Sequence, residues 1–150
     1  VFMRIALFLA LLLIAVGYAL RRGGGPERVM AVIAALMVVF DGALHLVIPV
    51  EYALLDTGHL ALDLFGAAST TMLALRAHRV WPMGMAVLHI LPLLAHTSRV
   101  LDFGMHPAAY LAMQVAPSWL VAPVLAGATW SHYRRKKAAG ADPSWYRAPI

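Results

Sequence analysis

The chain has no cysteine. Disulfides, Cys-ligated zinc and iron–sulfur clusters are therefore excluded. Charge is scarce: 13% of its 150 residues are Asp, Glu, Lys or Arg, against about 25% in an ordinary soluble domain. Catalytic signatures are missing too. There is no H-E-x-x-H, no G-x-S-x-G and no set of histidine boxes such as membrane di-iron enzymes carry, and Ser69 has no base at a useful spacing. No catalytic residue is assigned.

Long apolar runs take the place of charge. Hydrophobic residues make up 62% of the chain, and the mean hydropathy is +0.77. A helix of about 20 apolar residues crosses the ~30 Å hydrocarbon layer of a bilayer. Five such runs are present, at 1–20, 29–50, 59–75, 83–101 and 108–130. The expected fold is an all-α integral membrane bundle of five transmembrane helices, forming one domain over 1–137. Residues 138–150 are expected to be a short tail at the membrane surface. A soluble bundle is disfavoured because the runs are apolar around the whole helix circumference. The first run could be mistaken for a signal peptide, but its positive charge follows it and no small-x-small cleavage site comes after, so it reads as a retained helix.

The net charge of +5 would suggest nucleic acid in a soluble protein. Here the basic residues sit in short clusters between apolar runs, and no nucleic-acid partner is assigned. Arg21, Arg22, Arg28, Arg76, Arg79, Arg134, Arg135, Lys136 and Lys137 fall in alternate connections, whereas the turns between hold no Lys or Arg. Arg4 alone departs from the pattern. The positive-inside bias then predicts an outer N-terminus and a cytoplasmic C-terminus, as in a bacterial cytoplasmic (inner) membrane. Glycines and Pro26 should break the chain across RRGGGPER, Pro49 and Glu51 should end the second helix, and His106-Pro107 should cap the fifth.

Within these runs lies a set of ionisable residues. The segment from Asp41 to Asp63 reads D-x-x-x-H, an acidic turn, then H-x-x-x-D. An ionisable group inside a membrane span costs ~2.5–3.5 kcal/mol even on the lenient insertion scale, so it needs a partner or a purpose. Asp41 and His45 share a face of the second helix. His59, Asp63, Gly66 and Thr70 make one stripe on the third, and His89, Pro92, His96 and Arg99 another on the fourth. Counting residues from the expected helix ends puts His45 ~8 Å, Asp63 ~6 Å and His96 ~9 Å below the outer surface. Asp41 falls deeper, near the midplane, and His59, Asp102 and His106 fall at the mouth.

Several chemistries fit that arrangement. His45 and His96 at matched depth are candidate axial ligands of haem b, with Asp63 orienting one of them. A divalent metal held by His45, His96, Asp41 and Asp63 is a second candidate. A proton relay through the cluster, which also takes in His59, His89 and Arg99, is a third. Structural hydrogen bonding between helices is the bland alternative, at ~0.6–2 kcal/mol per bond. His89 alone reads as a satisfied core histidine, and the eight methionines read as core.

RGGGPER after the first helix, GHLALD opening the third, HPAAY before the fifth and PSW within it resemble a group of small, uncharacterised polytopic inner-membrane proteins of alphaproteobacteria. The resemblance covers most of residues 15–145 and implies a bacterial inner membrane, with no activity to transfer. The expected function is a non-catalytic subunit or partner of a membrane complex with a buried His/Asp cluster. The alternative is a haem-binding, metal-binding or proton-relaying membrane protein in its own right.

Overall fold

Each apolar run becomes one helical rod. The computed structural model describes residues 2–47, 56–101 and 106–145. It contains α1 (Phe2–Arg22), α2 (Gly25–Val47), α3 (Thr57–Arg76), α4 (Trp81–Leu101), α5 (Pro107–Val115), a 3₁₀ segment (Ala116–Leu120) and α6 (Val121–Ala139). The last three run on as a single rod, so the architecture is an all-α membrane bundle of five rods. Four of the rods are long and apolar enough to cross a membrane. The exception is α3, whose length suffices but whose His59, Asp63, Ser69, Thr70 and Thr71 dilute its apolar character.

The rods meet through small side chains. Ala15 and Ala19 of α1, Ala31 and Ala34 of α2, and Ala122 of α6 are buried with Met30, Leu73, Met85 and Leu125 in one core. Lipid tails are as apolar as a protein core, so association in a membrane relies on close van der Waals contact, which small residues permit. Large apolar side chains such as Leu13, Ile14, Val39, Leu75 and Leu94 point outward. Phe8 packs on Trp119 and Phe40 edge-on to Phe65, at centroid distances of 5.5 and 5.7 Å.

Several boundaries differ from expectation. The RRGGGPER loop shrinks to Gly23 and Gly24. Gly23 N–H closes on Ala19 C=O at 2.8 Å, and Pro26 suits the first turn of α2 because its missing N–H would have no helical partner there. The breaks expected at Pro49 and Glu51, and the turn at Asp102, lie outside the described residues. Asp56 caps α3, its carboxylate accepting from His59 N–H at 3.0 Å, so the helix starts two residues earlier than its apolar run. His106 caps α5 as expected, Nδ1 accepting from Ala108 N–H. The final rod does not stop at Trp130; it carries the basic cluster on to Ala139, where Gly140 turns the chain with φ of 73°. Glycine takes that left-handed cap without the penalty other residues carry.

The tail after Gly140 folds back. His78 N–H donates to Ser144 C=O at 3.0 Å, and Ala77 bridges Trp145. Asp142 is pinned by His132 Nδ1 at 2.7 Å, by Arg79 and by Arg135 Nε at 3.2 Å. Burial raises the Asp142 carboxyl, but the hydrogen bonds from Arg135, His132 and Arg79 outweigh it and hold the group below its ordinary value. Close packing explains the glycines of the first turn. A Cβ on Gly24 would lie 2.7 Å from His132 Cε1, and one on Gly25 would overlap the Trp145 indole. Beneath them Glu27, fully buried, accepts from Gly24 N–H at 3.0 Å and Trp81 Nε1–H at 3.2 Å. The Arg-rich end is thus a docked assembly that takes in tail residues 141–145.

Candidate functional site

The opposite half of the bundle holds the ionisable residues singled out above. The structure divides them into two groups. α3 packs against both α2 and α4, and its stripe lies along the seam between them. His59 meets α2 and Asp63 meets α4.

The first group comprises Asp41, His45, His59 and Asp56. His59 sits between two carboxylates, with Nδ1 2.6 Å from Asp56 Oδ2 and Nε2 3.2 Å from Asp41 Oδ1. His45 stacks edge-on to His59 with ring centroids 5.2 Å apart. Its Nδ1–H donates to the Asp41 carbonyl at 2.8 Å and lies 3.7 Å from the Asp41 carboxylate. Asp41 is therefore level with His59. The separation in depth expected between Asp41 and His59 is corrected. α2 continues at least six residues, ~9 Å, beyond Asp41, whereas α3 begins only two residues before His59.

The second group comprises Asp63, His96, Tyr110, Gln114 and Arg99. His96 is 2% exposed and Tyr110 fully buried. His96 Nε2 lies 3.0 Å from Asp63 Oδ2 and Nδ1 lies 2.6 Å from the Tyr110 hydroxyl. A carboxylate can only accept, so Nε2 carries the proton, and Nδ1 accepts from the tyrosine. The Gln114 amide nitrogen lies 3.1 Å from the same Nε2. The Arg99 guanidinium lies over the Tyr110 ring at 5.8 Å.

His45 and His96 thus belong to different groups, with α3 between their helices. Each nitrogen of His96 already faces a protein partner. The pairing of these two residues as axial ligands of one haem, and the four-ligand set of His45, His96, Asp41 and Asp63, do not match this geometry. The physical reason is that matched depth does not imply adjacency when a third helix intervenes. His89 stands apart from both groups. It is buried, and its Nδ1–H donates to the Met85 carbonyl at 2.8 Å.

Asp56, Tyr110 and Gln114 complete these groups, and reading the chain by apolar runs underused all three. The signal was present. His106, Tyr110 and Gln114 are spaced four apart, one face of one helix, and D-T-G-H has a cap residue ahead of an apolar run. The chain matches no family model, no curated protein and no solved structure.

Proposed function

We propose that the chain is a multi-pass protein of the bacterial cytoplasmic membrane, N-terminus outside and C-terminus in the cytoplasm, that relays protons through Tyr110, His96 and Asp63. One observation carries this reading: a buried imidazole bridges a tyrosine hydroxyl at one nitrogen and a carboxylate at the other, at 2.6 and 3.0 Å. An imidazole so placed takes up a proton at Nδ1 as it releases one at Nε2. Neutral amides would bond the helices equally well at lower desolvation cost. Three ionisable groups in series inside a membrane bundle therefore favour proton handling over adhesion alone. Asp63, only partly buried, is the open end of the string. The orientation rests on the Arg and Lys distribution.

The test is proton flux into liposomes carrying the purified chain, read by an entrapped pH dye under an imposed potassium potential. Flux above that of protein-free liposomes, falling to background in His96→Gln and Tyr110→Phe with helicity unchanged, supports the relay. Equal flux with and without the wild-type chain refutes it.

An apolar groove between α2 and α3, lined by Phe40, Leu44, Gly58, Ala61, Leu62 and Phe65, favours a second reading. In it the chain is a subunit of a membrane complex and a partner's helix fills the groove. A native-gel size in gently solubilised membranes larger than that of the purified chain would support it.

A further inference from the structure

We propose that Asp41, His45 and His59 form a binding site for a divalent transition metal, with Asp56 holding His59 in place. The three residues each offer one ligand atom, and these atoms lie within 4.8 Å of one another. Two imidazole nitrogens and one carboxylate oxygen suit zinc, cobalt, iron or manganese, whereas calcium and magnesium prefer oxygen alone. Three protein ligands leave open positions for water or a substrate atom.

A second, independent observation supports the site. Metal-ligating histidines commonly donate their far N–H to a carboxylate, which fixes the tautomer and turns the other nitrogen's lone pair toward the ion. His59 has this arrangement. Asp56 Oδ2 lies 2.6 Å from Nδ1, and Nε2 is thereby aimed at Asp41, 3.2 Å away. Asp56 is itself fixed because its other oxygen caps α3 through His59 N–H. A side chain bonded twice to one residue holds that imidazole in a single orientation.

The site is also reachable. Asp41 lies about 25 Å along α2 from Gly25, counting helical rise, near the far boundary of a ~30 Å hydrocarbon layer. Asp41 and His45 are partly open to the surroundings at side-chain exposures of 46% and 40%. Asp41 and His45 are the more open ligands, and His59 is the more enclosed at 20%. The residues are distinct from Tyr110, His96 and Asp63, so either proposal can fail alone.

The experiment uses the full chain, purified in detergent without a polyhistidine tag, stripped with chelator and titrated with Co²⁺. The expected result is one saturable site with visible d–d absorption, from which Zn²⁺ displaces the cobalt. Asp41→Asn and His59→Asn should abolish that absorption. Asp56→Asn should weaken binding by about 10–100-fold, the usual effect of losing such a supporting carboxylate. His106→Asn, which alters only the α5 cap, should bind as wild type. Equal binding by wild type and an Asp41→Asn/His59→Asn double variant would overturn the proposal. Should the variants fail to fold, X-ray absorption of the Co²⁺-loaded wild type decides: imidazole scattering supports the site, and its absence overturns it.

Discussion

Substituting Asp142 with alanine removes the carboxylate that His132, Arg79 and Arg135 share at the Arg-rich end. Arg135 is 43% exposed, so its pair contributes little. His132 and Arg79 are largely shielded, and hydrogen bonds to charged groups are each worth ~1.5–3 kcal/mol net. Removing one partner of such a buried set costs roughly 3–5 kcal/mol. The loss falls on the docked segment 141–145 rather than on the rods, so it should appear as local opening. At about 1.36 kcal/mol per decade, the population with an undocked tail rises by at least roughly two orders of magnitude. The readout is hydrogen exchange at the His78 amide, which donates to Ser144. Unchanged exchange in Asp142→Ala would refute the reasoning. The same latch has a defined pH dependence. Its carboxyl is held below the ordinary value, so the stabilisation is complete above the unfolded-chain value of ~3.9 and is lost as pH falls through the lowered folded value. Protection of His78 should therefore be flat from mildly acidic to neutral pH and collapse only in strong acid.

Three further outcomes are expected. Gly25→Ala should displace Trp145, costing about 1–3 kcal/mol as an overpacked contact does; faster proteolysis of the tail at unchanged helicity would show it. Tyr110→Phe leaves the buried His96 Nδ1 without its donor and should lower stability by ~1–2 kcal/mol in a mixed-micelle unfolding titration; an unaltered midpoint would mean that the 2.6 Å contact carries no net energy. Asp56→Ala removes the α3 cap, worth ~0.5–2 kcal/mol, and should speed exchange of the His59 amide while leaving the middle of α3 protected.

The rods were legible because length and apolar continuity leave few alternatives in 150 residues. The stripes were legible too: His59 and Asp63, and His96 and Arg99, do line interior seams. What could not be read was which neighbour each residue meets. His59 and Asp63 are four residues apart and differ in heading by only about 40°, yet one reaches Asp41 and the other His96. That choice depends on how far α2 overshoots the start of α3, which is set by packing along the whole rod. Counting from apolar ends failed to bring Asp41 level with His59 for the same reason. At the other end, Glu27 and Asp142 fall outside the expected spans. Only the back-folded tail and the Gly23–Gly24 turn bring Trp81, His132, Arg79 and Arg135 to them, and composition carries no trace of such long-range contacts.

The unbroken rod from Pro107 to Ala139 is about 50 Å long by helical rise, whereas the hydrocarbon layer is only ~30 Å thick. Roughly its last dozen residues therefore stand clear of the acyl chains, beginning near Trp130, over whose ring the Arg134 guanidinium lies at 5.1 Å. The Asp142 latch is built on this projecting stalk, through His132 and Arg135. Lipid phosphates and the Asp142 carboxylate bind guanidinium groups alike, so raising the anionic lipid content is expected to weaken the hold of the tail on Arg79 and Arg135.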